Sequence, residues 1–297
     1  TNNTGQAAYV YVTGYSEAPP GPGSTSTDYT TLRYNGVNAL THDWVTHYAG
    51  LGGNAIDRAN DIAVAGNGNV YVTGQSMGSA NFDYATVKYN KAGQLQHAIR
   101  YQLYGEALGL AIAVSCAGNA HVTGHVEAST IDYLSILYTQ PVSNVAVTSV
   151  TVVRGTYESG DVNSLLTSND QYLVYKPGPV FVSGEYPIQL VMNGTSPQEL
   201  PNPNELCFTL EAHTSQPNIT QKIELYDWQS ASYVIVDERI ATTADSVVHA
   251  HATYDATRFV QAGTRAVRTK VSYKQVGTIF VYPWFARIDF AGWHVLQ

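Results

Sequence analysis

The 297-residue chain has two cysteines, two methionines and few charges: Asp, Glu, Lys and Arg together supply 13% of it, roughly half of the ~25% usual in soluble domains. Each shortage excludes something. Cys116 and Cys207 fall in the two different halves drawn below, so they read as two separate buried thiols rather than a disulfide. No run of Lys or Arg occurs and the net charge is −8, which argues against a surface that tracks nucleic-acid phosphates or docks on anionic lipid. No apolar stretch reaches the ~18 residues that a membrane-crossing helix needs. No basic segment followed by an apolar one opens the chain. The first residues, TNNTGQAAYV, read as the tail of an element whose beginning is missing.

What is present is tyrosine, at 22 residues, within an apolar share of 44%. A core can therefore be buried, and a fully disordered chain is excluded. Abundant Tyr, Thr, Val and Gly beside few Lys and Glu is a β-rich composition. The length suggests about two domains.

The first half repeats itself. VYVTG stands at Val10–Gly14 and at Val70–Gly74, and AHVTG at Ala120–Gly124. A second strand follows each copy: DYTTLRYN from Asp28, DYATVKYN from Asp83 and DYLSILY from Asp132. DIAVAGNGN from Asp61 aligns with AIAVSCAGN from Ala111, and WVTHY from Trp44 with HAIRY from His97. Period-two alternation puts Val70 and Val72 on one face of a strand, and Tyr71 and Thr73 on the other. NGN and AGN supply residues that tolerate positive φ between strands. Four short strands per ~40–50 residues is the signature of a propeller blade.

DRANDIAVAGNGNVYVTGQS (Asp57–Ser76) and DYATVKYNKAGQ (Asp83–Gln94) resemble the bacterial SBBP-type β-propeller repeats. The third copy departs from that pattern, since ALGLAIAVSCAGNAHVTGH loses the aspartates. The resemblance covers residues 1 to about 140. It implies a secreted or cell-surface propeller segment and no catalytic residue. Three copies make one truncated and two complete blades, whereas closed propellers use four to eight. Such an arc exposes strand edges and an apolar blade face. Its cover would come from N-terminal blades outside this chain, from other copies, or, as the weakest option, from the second half.

Residues 141–150, PVSNVAVTSV, break the repeat and read as a linker or a crossing strand. From 151 to 297 about nine strand candidates follow one another with turn signals between them, which predicts a β-sandwich. ELYDWQSASYVIVDER is the clearest hairpin, with Trp228 to Ser232 at its tip; a bend falls at Gly263, and a short helix fits Val162–Leu166. TVVRGTYESGDVNSLLTSND, RFVQAGTRAVRTKVSYK and VYPWFARID resemble a jelly-roll-like C-terminal module of secreted proteins from environmental bacteria. The fold class expected is thus all-β: a partial β-propeller, then a jelly-roll-like β-sandwich.

Chemistry is sparse. There is no G-x-S-x-G, H-E-x-x-H, Walker A or C-x-x-C, so no enzyme is expected. His249 and His251 sit two apart on one strand face, a spacing that chelates zinc or copper, but no third ligand is identifiable. Incidental strand histidines are the plainer reading, and no metal site is expected. Asp57 and Asp61 offer a calcium option; loop capping is the plainer job, since a blade reuses the same positions. Asp28, Asp83 and Asp132 recur at one blade position, which also signals a structural role. Trp228, Tyr233 and Tyr254 form the candidate sugar platform, because sugar rings bind through apolar faces with polar edges. Trp284 and Trp293 lie in the final strands, where core packing is the usual fate.

The chain is therefore expected to be a non-enzymatic extracellular structural or interaction protein. Its expected partners are other copies of itself, in an oligomer or filament. The alternative is a module that tethers to polysaccharide. Nucleic-acid binding and membrane insertion are not expected.

Overall fold

Alternation of apolar and polar residues, with glycine-containing turns between runs, produces one strand after another among the described residues. The computed structural model describes residues 9–17, 26–35, 41–51, 55–102, 105–140, 142–197, 203, 205–252, 255–278 and 281–296. It divides into two compact units, Thr1–Gln140 and Pro141–Gln297. Among the described residues, strands are joined only by loops and two short 3-10 turns.

The first unit contains three antiparallel sheets, one per repeat. The first holds β1 (Tyr9–Glu17), β2 (Thr27–Asn35) and β3 (His42–Tyr48). The second holds β4 (Asp57–Val64), β5 (Val70–Met77), β6 (Phe82–Tyr89) and β7 (Leu95–Tyr101), in that spatial order. The third holds β8 (Glu106–Val114), β9 (Ala120–Glu127) and β10 (Ile131–Tyr138). The middle copy thus has the four strands expected. The third has three among the described residues, one fewer than a complete blade, because the chain leaves the repeat after Tyr138.

Pleating gives every blade two faces, and the two faces differ in chemistry. In the middle blade, Val70, Val72 and Val87 pack against Tyr29, Tyr48, Tyr11 and Trp44 of the first blade. Its other face carries Tyr71 and Tyr84 and packs against Ala120, Val122 and Ile112 of the third. The middle strands β5 and β6 are consequently buried on both sides. The turns are set locally: Gly68 and Gly118 take φ of 83° and 70°, a region open to glycine without a Cβ penalty. Asn67 Oδ1 accepts the Asn69 amide at 2.9 Å, an Asx-turn closure.

The second unit is a sandwich of two antiparallel sheets. β11 (Val142–Ala146) and β12 (Ser149–Arg154) occupy most of the stretch expected to be a linker. Of the two readings of this stretch, the linker is corrected and the crossing strand holds: β11 pairs with the last strand, β21 (Ala286–Leu296), and β12 with β15 (Ile188–Thr195). Val145 of β11, and Val147 between the two strands, are buried in the sandwich core, which holds this stretch against the sheets. β13 (Thr156–Ser159) separates from β12 at Gly155, whose φ is 122°, and enters the opposite sheet. The remaining strands are β14 (Leu173–Lys176), β16 (Glu205–Thr214), β17 (Ile219–Asp227), β18 (Ser232–Ile240), β19 (Ser246–His251) and β20 (Ala266–Gln275).

One sheet runs β13-β14-β21-β16-β19 and the other β12-β15-β20-β17-β18. Strands β14 to β21 thereby give two four-stranded sets, 14-21-16-19 and 15-20-17-18, which is jelly-roll order. The inner faces share one core that includes Leu190, Met192, Phe208, Leu210, Ile223, Val271 and Ile288. Trp284 and Trp293 are both buried there. Trp293 lies 5.2 Å from the Phe208 ring and donates its indole N–H to Thr269 Oγ1 at 2.8 Å. The short helix is a 3-10 turn, Val162–Leu165, capped by Asp161. Both cysteines are buried and neither is a free thiol, which corrects the reading of two separate thiols.

Candidate functional site

The outer face of the β12-β15-β20-β17-β18 sheet carries an ordered row of polar and aromatic side chains. Register places Ser149 opposite Asn193, Asn193 opposite Arg268, and Tyr226 opposite Tyr233. Arg268 joins the two parts of the row: its guanidinium lies 5.2 Å from the Tyr226 ring and 5.1 Å from the Trp228 ring, and Nε donates to Asn193 Oδ1 at 2.8 Å. Asn193 Nδ2 in turn donates to Ser149 Oγ at 3.3 Å. One step along the strands, Lys270 lies 4.1 Å over the Tyr233 ring and pairs with the buried Glu224 carboxylate at 2.9 Å. A cation over an aromatic face is attracted by the ring quadrupole.

The hairpin tip that presents Trp228 is fixed by one carboxylate. Asp227 Oδ1 accepts the amides of Gln229 and Ser230 at 2.9 and 3.2 Å, and Oδ2 accepts from Arg258. Burial pushes the Asp227 carboxyl up, but these donors more than reverse it and hold it below the ordinary value.

Trp228 and Tyr233, named from the sequence, are thus brought together. They meet through Tyr226, whose ring centroid is 4.8 Å from Trp228 and 5.0 Å from Tyr233, both edge to face. Tyr254 lies outside the described residues. Tyr226, Arg268 and Lys270 were not singled out by sequence reading. Their signal was available in the alternation of Tyr226 with Trp228 and of Arg268 with Lys270, which puts each pair on one strand face. The rings do not make a flat open platform, because Arg268 and Lys270 already cover faces of all three.

His249 and His251 do project from one face of β19, where register sets them opposite Thr209 and Cys207. His294 reaches the same face from β21, also opposite Cys207. Each histidine has its own protein partner: His249 with Thr209 Oγ1 at 3.1 Å, His251 Nδ1 with Glu205 Oε1 at 3.0 Å, and His294 Nδ1 with Asn144 Oδ1 at 2.8 Å. Burial lowers the pKa of His249 and His294, and neighbouring histidine charge lowers both further. Among the described residues, these three rings do not converge closely enough to share an ion.

A third set, at one end of the β16 and β21 strands of the same sheet, has the residue types of acid–base machinery. His213 Nδ1 pairs with Asp245 Oδ1 at 2.7 Å, and Tyr172 donates to Asp245 Oδ2 at 2.6 Å. Burial raises the Asp245 carboxyl, while the bonds from Tyr172 and His213 and the charges of His213 and Arg287 outweigh it and leave it lowered. Arg287 Nη1 stands 3.3 Å from His213 Nε2. His213 is held between Asp245 and Arg287, and among the described residues no hydroxyl or thiol is bonded to its ring.

The aspartates of the repeats are also engaged by the protein. Asp57 Oδ2 accepts the Gly50 amide at 2.7 Å, and Oδ1 accepts from Ser76. Asp61 takes the amides of Ile62 and Ile112 at 2.9 and 2.7 Å. Asp83 pairs with Arg100 at 2.8 Å, and Arg100 also donates to Ser76 Oγ and to the carbonyls of Ser76 and Met77. The bonds of Asp57 and Asp83 stay within the segments around their own blade, whereas Asp61 reaches the backbone of the next blade rather than capping a loop. The calcium option at Asp57 and Asp61 gains nothing from them.

The end blades present the other candidate surface. Val10 and Val12 of β1 are 53% and 44% exposed, whereas their repeat equivalents Val70, Val72, Ala120 and Val122 are all 0% exposed. Val45 is exposed beside them, opposite Leu32. At the far end of the stack, Ile131, Tyr133 and Leu137 of β10 are exposed.

Residues 43–83 match the beta-propeller repeat family SBBP. The match runs from β3 through the first half of the middle blade and ends at Asp83. No curated protein matches the chain by sequence. Among solved structures, a family 29 carbohydrate-binding module is similar at 11% identity, over 48% of this chain and 90% of that one, with a TM-score of 0.29. A glycoside hydrolase family 43 arabinoxylan arabinofuranohydrolase from Bacillus subtilis is similar at 10% identity, over 98% of this chain and 64% of that one, with a TM-score of 0.28. A family 29 fucosidase from Ruminococcus gnavus is similar at 13% identity, over 50% of this chain and 25% of that one, with a TM-score of 0.28. The chain thus spans under two thirds of the arabinofuranohydrolase and a quarter of the fucosidase. No helix of the described residues is long and apolar enough to cross a membrane.

Proposed function

We propose that the chain is a non-enzymatic extracellular structural protein that self-associates through the outer faces of its end blades. The observation that carries this reading is the exposure of Val10 and Val12 at positions that are fully buried in both other copies. An apolar β face left in water is an association surface. The extracellular setting rests on the repeat resemblance. A non-enzymatic role is supported by the engagement of His213 by Asp245 and Arg287 and by the occupied carboxylates of Asp57 and Asp61. Light scattering of the purified chain at micromolar concentration tests the reading. Oligomers or filaments are expected, and a single monomer peak overturns it.

A second reading is a polysaccharide tether on the sandwich. It is favoured by the row Ser149, Asn193, Arg268, Tyr226 and Tyr233, which sets amide, hydroxyl and guanidinium groups beside aromatic rings on one sheet face. Sugars are recognised by that combination. Glycan-array binding lost on Trp228→Ala and on Tyr233→Ala is the expected result. An array without hits retires this reading.

A further inference from the structure

The contact that seats one blade on the next is the same at both joints inside the first unit. At one, Tyr29 of β2 lies over Gly74 of β5, with its hydroxyl 2.8 Å from where a Cβ on that glycine would stand. The hydroxyl also donates to Ala85 O at 3.4 Å. At the other, Tyr84 of β6 lies over Gly124 of β9, its ring 2.8 Å from the equivalent Cβ position. Both tyrosines are the Tyr of the Asp-Tyr strand, and both glycines end a Val-Thr-Gly. A Cβ there would meet both the tyrosine and, closer still, a carbonyl of the neighbouring strand, Arg58 O at Gly74 and Leu108 O at Gly124, so glycine is needed at both positions.

Each end blade keeps one half of this contact unused. Tyr29 and Tyr84 are 0% exposed, yet Tyr133, at the same repeat position in the third blade, is 74% exposed. Gly14, at the same position as Gly74 and Gly124, has no atom of the described residues within 4 Å of its would-be Cβ. Val10 and Val12 flank Gly14, and Leu137 flanks Tyr133, all exposed. One end of the stack therefore offers the tyrosine and the opposite end offers its seat.

Building on the self-association proposed above, we infer that a second copy of the chain docks head to tail, with Tyr133 of one seated over Gly14 of the next. The two surfaces differ, so the contact is heterologous and repeats into a ring or an open filament rather than closing as a two-fold dimer. One detail separates it from the internal joints. At the internal joint, Asn60 and Asp61 of the middle blade hold the Gly109 carbonyl and the Ile112 amide of the third at 2.7 Å each. Leu110 and Ala111 stand at those positions in the third blade, and Leu110 is exposed. The joint between copies thus exchanges a polar hook for apolar contact, which makes it separable where the internal ones are permanent.

The test uses the full chain in analytical ultracentrifugation. Tyr133→Ala removes the key. Gly14→Leu blocks the seat, and Val12→Asp blocks it independently. Each variant alone is expected to stay monomeric where the parent associates, a roughly tenfold or greater weakening. Tyr133→Ala mixed with Gly14→Leu is expected to give a 1:1 pair and nothing larger, since one intact key and one intact seat remain. A parent that associates while these variants associate equally well, or a mixture that stays monomeric, overturns the head-to-tail contact and leaves self-association standing. A monomeric parent removes both.

Discussion

One carboxylate oxygen of Asp61 accepts the backbone N–H of Ile112 at 2.7 Å, so a side chain of the middle blade completes the hydrogen bonding of the next. Its other oxygen accepts the amide of Ile62 at 2.9 Å. Ile112 is buried, and a buried amide stripped of its acceptor costs about 1–3 kcal/mol. Asp61→Ala is expected to lower stability by about that amount, with Asp61→Asn, which keeps one oxygen, milder. Hydrogen exchange at the Ile112 amide reads the effect locally. Unchanged protection of that amide in Asp61→Ala would count against the hook.

The three Val-Thr-Gly glycines should respond differently to the same substitution. A Cβ on Gly124 meets the Leu108 carbonyl as well as Tyr84, and on Gly74 the Arg58 carbonyl as well as Tyr29; on Gly14 it meets no described atom. Overpacking of this kind costs about 1–3 kcal/mol, sometimes more. Gly74→Ala and Gly124→Ala are expected to lower the denaturation midpoint, and Gly14→Ala to leave it near the parent value. Equal losses at all three positions would contradict the stacking described.

The repeat was readable because each copy writes the same alternation, and Val70, Val72 and Val87 on one face with Tyr71 and Tyr84 on the other follow from period two alone. Two things were not readable. Pro141 left 141–150 open between a connector and a crossing strand, and the choice turns on Val145 and Val147, core residues whose partner strand lies 150 positions further on. The site had the same difficulty. Trp228 and Tyr233 stand in one hairpin, but Arg268, which bridges Tyr226 to Asn193, comes from a strand whose place is fixed by sheet order and not by local pattern. His294 was missed as a neighbour of His249 and His251 for the same reason.

Arg268→Lys tests whether the row on the sandwich is built by shape or by charge. The planar guanidinium reaches two rings and one amide oxygen together. Lysine keeps the charge without the fork. The expected loss is about 0.5–1 kcal/mol of stability for the cation–π part, together with a changed emission from Trp228. If the Arg268→Lys variant reproduced the parent's Trp228 signal and midpoint, the charge alone would be sufficient.

The histidine face makes the sandwich sensitive to acid. His249 and His294 have folded pKa values below the ordinary ~6.5, first through burial and then through the positive charge of neighbouring histidines. A base whose pKa is lower when folded is protonated more readily in the unfolded chain. Its contribution is complete above about pH 6.5 and falls away as the pH drops from there toward the folded values. The thermal midpoint of the chain is therefore expected to decline on acidification through that window, at constant ionic strength. His294→Gln removes one titrating ring while retaining a polar partner for Asn144, so its decline should be shallower. A midpoint that holds steady or climbs as the pH is lowered, or a His294→Gln slope equal to that of the parent, would show that these rings do not govern the acid response.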